Sequence, residues 1–278
     1  MKSNGRETAQ ASHHHRQRKE NPGLGIQPAT NDLNHARQTG HSVHFRGIVR
    51  CMSLRILVFD VNETLLDVSA LQPHFARAFG SSSVCHEWFA TVLLYSEVAT
   101  LAGPYADFSA IAGAALDMTA ASRGVVLRAE DRDQILVGMR SLPAHSDVHE
   151  ALRRLKDSGF RMVALTNSAP AAATQQLANA GLADAFERVF SVDEVRRFKP
   201  APEPYRFVAH ELGVETNALR MVAAHAWDIV GAIQAGCAGA FVARPGKVLY
   251  PLAPAPDIVG VGLRSVAEQI VATDSPRP

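Results

Sequence analysis

Cysteine is scarce. The chain has three, Cys51, Cys85 and Cys237, widely spaced and odd in number. They build neither a disulfide framework nor a CxxC metal pair, and this usage suits a reducing cytoplasm. Long apolar runs are absent too: none reaches the roughly 18–20 residues of a membrane span. Nor does one sign of charge dominate. The formal net charge is +1, which gives no global case for nucleic acid or a membrane surface. What remains is a chain of 278 residues, 47% hydrophobic and 20% charged. That is enough for one large domain, or a core with an insert.

Residues 1–51 differ from the rest. They hold 8 Lys and Arg against 3 Asp and Glu, while the remainder holds 20 against 24. Half of the twelve histidines lie here, including His13, His14 and His15. Without periodicity and with few aliphatics, the segment is expected to be a disordered or over-extended N-terminal stretch. Metal binding by the histidine tract, a targeting role and a nucleic-acid tail stay open for it. It lacks the apolar centre of a secretory signal. Met52 directly precedes "SLRILVFD", a natural beginning for a folded unit.

From residue 54 the pattern alternates strand and helix. Residues 54–59 form a short apolar run, the signature of a strand buried on both faces. Residues 69–140 read as helical with no strand; "EWFATVLLYSEVATLAG" and "ADFSAIAGAALDMTAAS" carry apolar residues at helical spacing. After Pro143 the rhythm returns: helix "DVHEALRRLKDSG", strand "FRMVALTN", helix "APAAATQQLANAGL", strand "RVFSVDEV", helix "EPYRFVAHELGV", strand "LRMVAAH", helix "AWDIVGAIQAG" and a last strand "AGAFVAR". This predicts an α/β protein: a Rossmann-like, doubly wound parallel sheet with an inserted all-helical cap. The expected boundaries are 52–67 and 142–278 for the core and 68–141 for the cap.

Ligands of such sheets bind beyond the carboxyl ends of the strands. The polar residues at those ends are Asp60, the run Thr166, Asn167 and Ser168, Lys199, and His225 with Asp228. A carboxylate at a strand tip can be a nucleophile, a metal ligand or a cap. Thr64 follows Asp60 by four residues, and a lysine beside a carboxylate keeps it ionised. Plain structural roles stand beside these: capping for Asp60, Thr64 and Asp228, packing for Tyr205, a backbone hydrogen bond for His225.

Four stretches in order, "FDVNETLLD", "LTNS", "FKPAPEPY" and "AAHAWD", resemble the motifs of the haloacid dehalogenase superfamily over about residues 54–245. Its phosphatases carry a second Asp two residues after the first, and further acids that hold Mg²⁺. Here that position is Asn62, which has no proton to give at neutral pH, and the fourth motif offers only Asp228. The closer resemblance is to the type II (S)-2-haloacid dehalogenases, which also lack the second Asp and need no metal or cofactor. In the inserted segment, Trp88, Tyr95, Tyr105 and Phe108 match that branch's W-x6-Y-x9-Y-x2-F spacing.

The resemblance implies that Asp60 displaces halide from C2 of a short 2-haloalkanoate with inversion, and that water then hydrolyses the ester. It implies catalytic roles for Asp60, Lys199, Asp228, Thr64 and Asn167. Val61, Asn62, Thr166, Ser168, Phe89, Tyr205, His225 and Trp227 would contact the substrate. The partner implied is a small carboxylate, not nucleic acid or membrane, and a homodimer is left open, with "LLYSEVATLAG" as a candidate surface.

Two positions depart from the branch. Phe89 stands where an Arg usually receives the halide, leaving His86 and Arg77 as candidate donors in the cap. Ala224 and His225 replace the usual Ser-Asn, and His225 is placed to activate the water or to donate to the leaving group. Two other readings follow. The same attack could open a strained cyclic amino acid, with His225 protonating nitrogen, or the chain could be a non-catalytic carboxylate binder.

Overall fold

The computed structural model describes residues 54–275; the N-terminal segment 1–51 lies outside them. Six parallel strands among these residues form one sheet: β1 (Ile56–Phe59), β2 (Met162–Thr166), β3 (Arg188–Ser191), β4 (Leu219–Ala223), β5 (Ala238–Val242) and β6 (Ile258–Gly260), in the order β3-β2-β1-β4-β5-β6. The winding reverses at β1, between β2 and β4. That reversal opens a crevice at the carboxyl end of the sheet, and Asp60 is the first residue past β1.

Side chains alternate across the strands. Ile56 and Val58 join Leu165, Tyr205, Met221 and Ile229 on one face, while Leu57 and Phe59 join Met162, Ala164, Val222 and Val242 on the other. β1, β2 and β4 are buried on both faces, which is why their sequences read as continuous apolar runs.

Five helices lie between β1 and β2, and the first four make the insert: α1 (Gln72–Phe79), α2 (Val84–Ala102), α3 (Phe108–Ser122) and α4 (Ala129–Gly138). Their inner residues Trp88, Phe89, Val92, Phe108 and Leu116 share one hydrophobic cluster with Leu57 and Phe59 of the sheet. The insert therefore extends the core instead of building its own. The remaining helices are α5 (Val148–Asp157), α6 (Pro170–Asn179), α7 (Pro202–Glu211), α8 (Ala226–Gln234) and α9 (Leu263–Asp274). No helix among the described residues is long and apolar enough to cross a membrane.

The sequence reading stopped one strand early. Residues 238–242 do not form the last strand: β6 pairs beyond them. β6 has only three residues, with Val259 exposed between Ile258 and Gly260, too short to show a period. β4 also carries a charge at its second residue. Arg220 is fully buried and donates to Asp257, Asp274 and the carbonyl of Gly239. Removing one partner of such a buried pair costs about 3–5 kcal/mol. Arg220→Met should therefore lower the free energy of unfolding by that amount, read as a lower urea midpoint at unchanged slope, and adding Asp274→Asn should recover part of the loss. An unaltered midpoint in the single variant would contradict this account of β4.

Candidate active site

The chain turns tightly after β1. The N–H groups of Leu65 and Leu66 both donate to the Val61 carbonyl, and that of Glu63 to Leu66. Closing this turn puts Glu63 at φ 61°, a left-handed conformation costly for a side chain other than glycine, of order 1–3 kcal/mol. Thr64 then points back at Asp60. Its Oγ1 donates to Asp60 Oδ2 at 2.6 Å and accepts the Ala224 N–H at 2.9 Å, fastening the turn to the end of β4.

Lys199 precedes α7 and is 1% exposed. Its Nζ donates to Asp60 Oδ1 at 2.9 Å, Asp228 Oδ2 at 2.6 Å and the Leu165 carbonyl at 3.0 Å. All three ammonium donors are spent. Asn167 Oδ1 accepts the Lys199 N–H at 3.2 Å, so Asn167 shapes the lysine's backbone. Tyr205 donates to Asp228 Oδ1 at 2.6 Å.

His225, the residue before α8, completes the shell. Its Nδ1 lies 3.0 Å from Asp60 Oδ2 and its Nε2 lies 2.7 Å from Glu63 Oε2, while Lys247 donates to the same Glu63 oxygen at 2.6 Å. The Trp227 ring stacks on the imidazole at 4.8 Å. Three carboxylates (Asp60, Asp228, Glu63) thus meet Lys199, Lys247 and the imidazole.

Burial works against ionisation here, and the neighbours decide the outcome. For Asp60 it is outweighed by Lys199, His225 and Thr64, which hold the carboxyl well below its ordinary value. For His225 it is outweighed by Asp60 and Glu63, and the imidazole titrates above its usual 6.5. For Lys199, Asp228 and Asp60 together keep the ammonium charged. Burial and the Asp60 charge push Asp228 up against the pull of Lys199 and Tyr205.

The candidate residues do not all turn toward one space. Val61 is fully buried in the core cluster, where its side chain packs. Thr166 is 1% exposed and its hydroxyl accepts the Ser168 N–H, so it organises its own loop. The Tyr205 hydroxyl is committed to Asp228. Asn62 donates to Ser168 Oγ and accepts from Gln176, whose Nε2 also donates to the Met139 carbonyl.

Phe89 packs between Trp88 and Phe108 and is 3% exposed. Phe108, not Phe89, lines a cleft of about 270 Å³ between α3 and α6. Ser168 and Gln176 line its other wall, so the cleft reaches the core beside Asn62. Arg77 and His86, the candidate cap donors, lie outside the site's hydrogen bonds. Both are exposed, Arg77 paired with Asp131 and Gln134, and His86 with Gln72.

Sequence reasoning missed Glu63, Lys247, Gln176 and Arg244, which donates twice to the Thr64 carbonyl. Glu63 stands inside the quoted first motif, yet nothing in the letters shows that its backbone is left-handed. Among the described residues, no group of three or more His, Cys, Asp or Glu is arranged to hold a metal ion.

The fold and these side chains define a carboxylate-centred site at the topological switch of a parallel α/β sheet, with an ammonium buried against the carboxylate. The chain belongs to the haloacid dehalogenase-like hydrolases, whose family model matches residues 54–236. The (S)-2-haloacid dehalogenase of Xanthobacter autotrophicus is 32% identical over 197 residues, 69% of this chain and 76% of that protein. That of Pseudomonas sp. (strain YL) is 29% identical over 214 residues, 76% of this chain and 92% of that one. Among solved structures, the L-2-haloacid dehalogenase of Xanthobacter autotrophicus with chloropropionic acid covalently bound matches with a TM-score of 0.74 and 27% identity. It covers 79% of this chain and 99% of that one.

The electrostatics are testable without substrate. In the native protein, the His225 contribution to stability is complete below pH 6.5 and is lost as pH rises through its higher folded value. Asp60→Asn removes one of the two anions. The imidazole resonance of His225 should then titrate at lower pH than in the native protein, and an unmoved NMR titration curve would refute the pairing.

Proposed function

We propose that the protein is a metal-independent (S)-2-haloacid dehalogenase in which Asp60 is the nucleophile. The observation that carries this reading is the carboxylate at the tip of β1, held by Lys199, with an amide in place of a second acid two residues on at position 62. Asp60 attacks C2 of a short 2-haloalkanoate, the carbon–halogen bond breaks with inversion, and an aspartyl ester forms. Halide leaves as an anion and needs no proton, so Asn62 suffices where a phosphatase needs an acid. Water then attacks the ester carbonyl and releases the 2-hydroxy acid. Splitting one displacement into two steps is the gain of covalent catalysis. The relatives' names and the covalent adduct of the Xanthobacter enzyme support this route.

The cleft beside Ser168 gives the substrate a way in. Donors of the 167–168 loop at the start of α6 hold its carboxylate. Halide departs toward the aromatic side of the insert, without the charge-assisted contact of an arginine. Such a contact is worth about 1.5–3 kcal/mol, or roughly ten- to a hundredfold in rate. Modest turnover of chlorides therefore follows. One observation favours a second leaving group: the His225 imidazole, 3.0 Å from Asp60 and biased by it toward the protonated form, can protonate an amine nitrogen, as opening a strained cyclic amino acid requires.

The deciding assay is halide release from 2-chloropropionate, 2-bromopropionate and fluoroacetate in excess EDTA, run beside a set of cyclic amino acids. Native protein should release halide and Asp60→Asn none, and multiple turnovers in ¹⁸O-water should label the Asp60 carboxylate. Strict dependence on Mg²⁺, or label only in product after a single turnover, would overturn the mechanism. Ring opening without halide release would select the second reading.

The proposed assembly is a homodimer closed on α2, where Leu94, Val98 and Leu101 lie exposed at helical spacing. Val98→Glu should shift sedimentation to the monomer. A native protein that sediments as a monomer at all concentrations would remove this proposal.

A further inference from the structure

Glu63 has no role in the displacement just described, yet the structure invests in it. Its backbone is left-handed at φ 61°, where glycine would sit without strain. Its carboxylate is directed inward, onto His225 Nε2 at 2.7 Å, and the other imidazole nitrogen faces Asp60 at 3.0 Å. A carboxylate on one nitrogen of a histidine, with the reacting group at the other, fixes the tautomer of the ring. Resting on the ester route above, we propose that Glu63 is a positioning residue that holds His225 Nε2–H, so that Nδ1 takes the proton of the water that cleaves the Asp60 ester.

The protons balance. In the resting site the carboxylates of Asp60 and Glu63, 3.0 and 2.7 Å from its two nitrogens, favour the imidazolium form of His225, and the cycle starts from that form. Attack by Asp60 forms the Asp60 oxygen–C2 bond, breaks the carbon–halogen bond and turns one of those carboxylates into a neutral ester. Lys199 and Lys247 stay nearby, Lys199 Nζ lying 5.9 Å from the Trp227 ring that stacks on His225. Deprived of one anion and still facing two cations, His225 loses its Nδ1 proton to solvent, the one proton that dehalogenation releases. Water then attacks Asp60 Cγ and gives a proton to Nδ1, while Nε2–H remains on Glu63. The tetrahedral intermediate collapses, the Cγ–oxygen bond to the hydroxy acid breaks, and the departing alkoxide takes the Nδ1 proton. The carboxylic acid left on Asp60 returns its own proton to Nδ1, and the resting pair is restored.

The groups around His225 agree with this assignment. Asp60 and Glu63 face its two nitrogens, with Thr64 on the same Asp60 oxygen. Lys247 shares Glu63 Oε2, His145 Nε2 lies 3.3 Å from the Glu63 carbonyl, and Arg244 holds the Thr64 carbonyl. Asp228 sits behind Lys199 and is paired to it and to Tyr205. Each of its oxygens already accepts one of these bonds, whereas His225 Nδ1 stands directly beside Asp60 Oδ2 at 3.0 Å, which makes His225 the proton acceptor in this assignment.

The test uses full-length protein and 2-bromopropionate, with rapid-quench bromide release, intact-protein mass spectrometry and the pH profile of turnover. Glu63→Gln should give a burst of one bromide per enzyme, then turnover about a hundredfold slower, the scale of a lost general base. The Asp60 ester should accumulate. The acidic limb of native turnover, lost as pH falls through the His225 titration in the ester, should move to lower pH in Glu63→Gln, because an anion beside the imidazole is gone. Glu63→Asp keeps the charge and tolerates the left-handed backbone, and should restore part of the rate. Glu63→Gly relieves the backbone and guards against misfolding; it must show the same ester accumulation. Native turnover and pH limb in Glu63→Gln, or burst and turnover lost together in both Glu63→Gln and Glu63→Gly, would overturn the assignment. If the native protein releases no bromide, the dehalogenase reading falls and takes this inference with it; if it releases bromide and the variants match it, this inference alone falls.

Discussion

The site is organised around a single buried ammonium. Lys199 lies between Asp60 and Asp228 with no access to water, and stripping a charge of its hydration costs several kcal/mol that only close partners offset. Every group near it is arranged to meet that demand. Leu165 offers the carbonyl at the end of β2, Asn167 fixes the lysine's backbone, and Tyr205 orients the second carboxylate. A buried ion triad of this kind is weak evidence for stability, since apolar residues of equal volume often serve a fold better. Its use is chemical: it keeps a buried carboxylate ionised.

The same lysine explains why the insert and the core are built as one. Phe198, the residue before it, stacks on Tyr105 at 5.1 Å and touches Phe108, and its N–H donates to Thr100 Oγ1 at 2.9 Å. Arg197 donates to the Thr100 carbonyl, and Tyr105 to Asp193. The segment leading to Lys199 is thus the place where the end of α2 and the loop before α3 grip the core. Rings continue from there through Phe108, Phe89, Trp88 and Phe75. A change anywhere along this row is transmitted by packing, because a dense interior cannot absorb a shifted ring without moving its neighbours.

Much of this was legible in the letters. Strand ends can be read from period and burial pattern, and a parallel sheet delivers its strand ends to one edge. Asp60, the 166–168 run and His225 therefore fall together without any knowledge of side-chain contacts. Which way a side chain turns at that edge is another matter. Thr166 and Val61 sit at the edge yet face inward, because loop closure spends one hydroxyl and the core takes one isopropyl. Glu63 carries no signal in the letters, since its importance depends on a backbone angle. Nothing in the letters marks Arg220 as buried; its partners Asp257 and Asp274 are 37 and 54 residues away, too far for local pattern to pair them.

Asymmetry around Asp60 ties these observations to chemistry. On one side stand Asn62, Ser168 and Gln176, amides and a hydroxyl joined to each other, none of which changes charge near neutrality. On the other stand His225 and Glu63, a pair that can hold or move a proton. A phosphatase of this fold needs its acid beside the leaving group. On the proposed reading, this protein has moved its protonable groups from the leaving-group side to the other flank of the same carboxylate. Such a site spends no proton on halide, which leaves as an anion, and keeps its proton chemistry for the ester, whose hydrolysis cannot proceed without moving one.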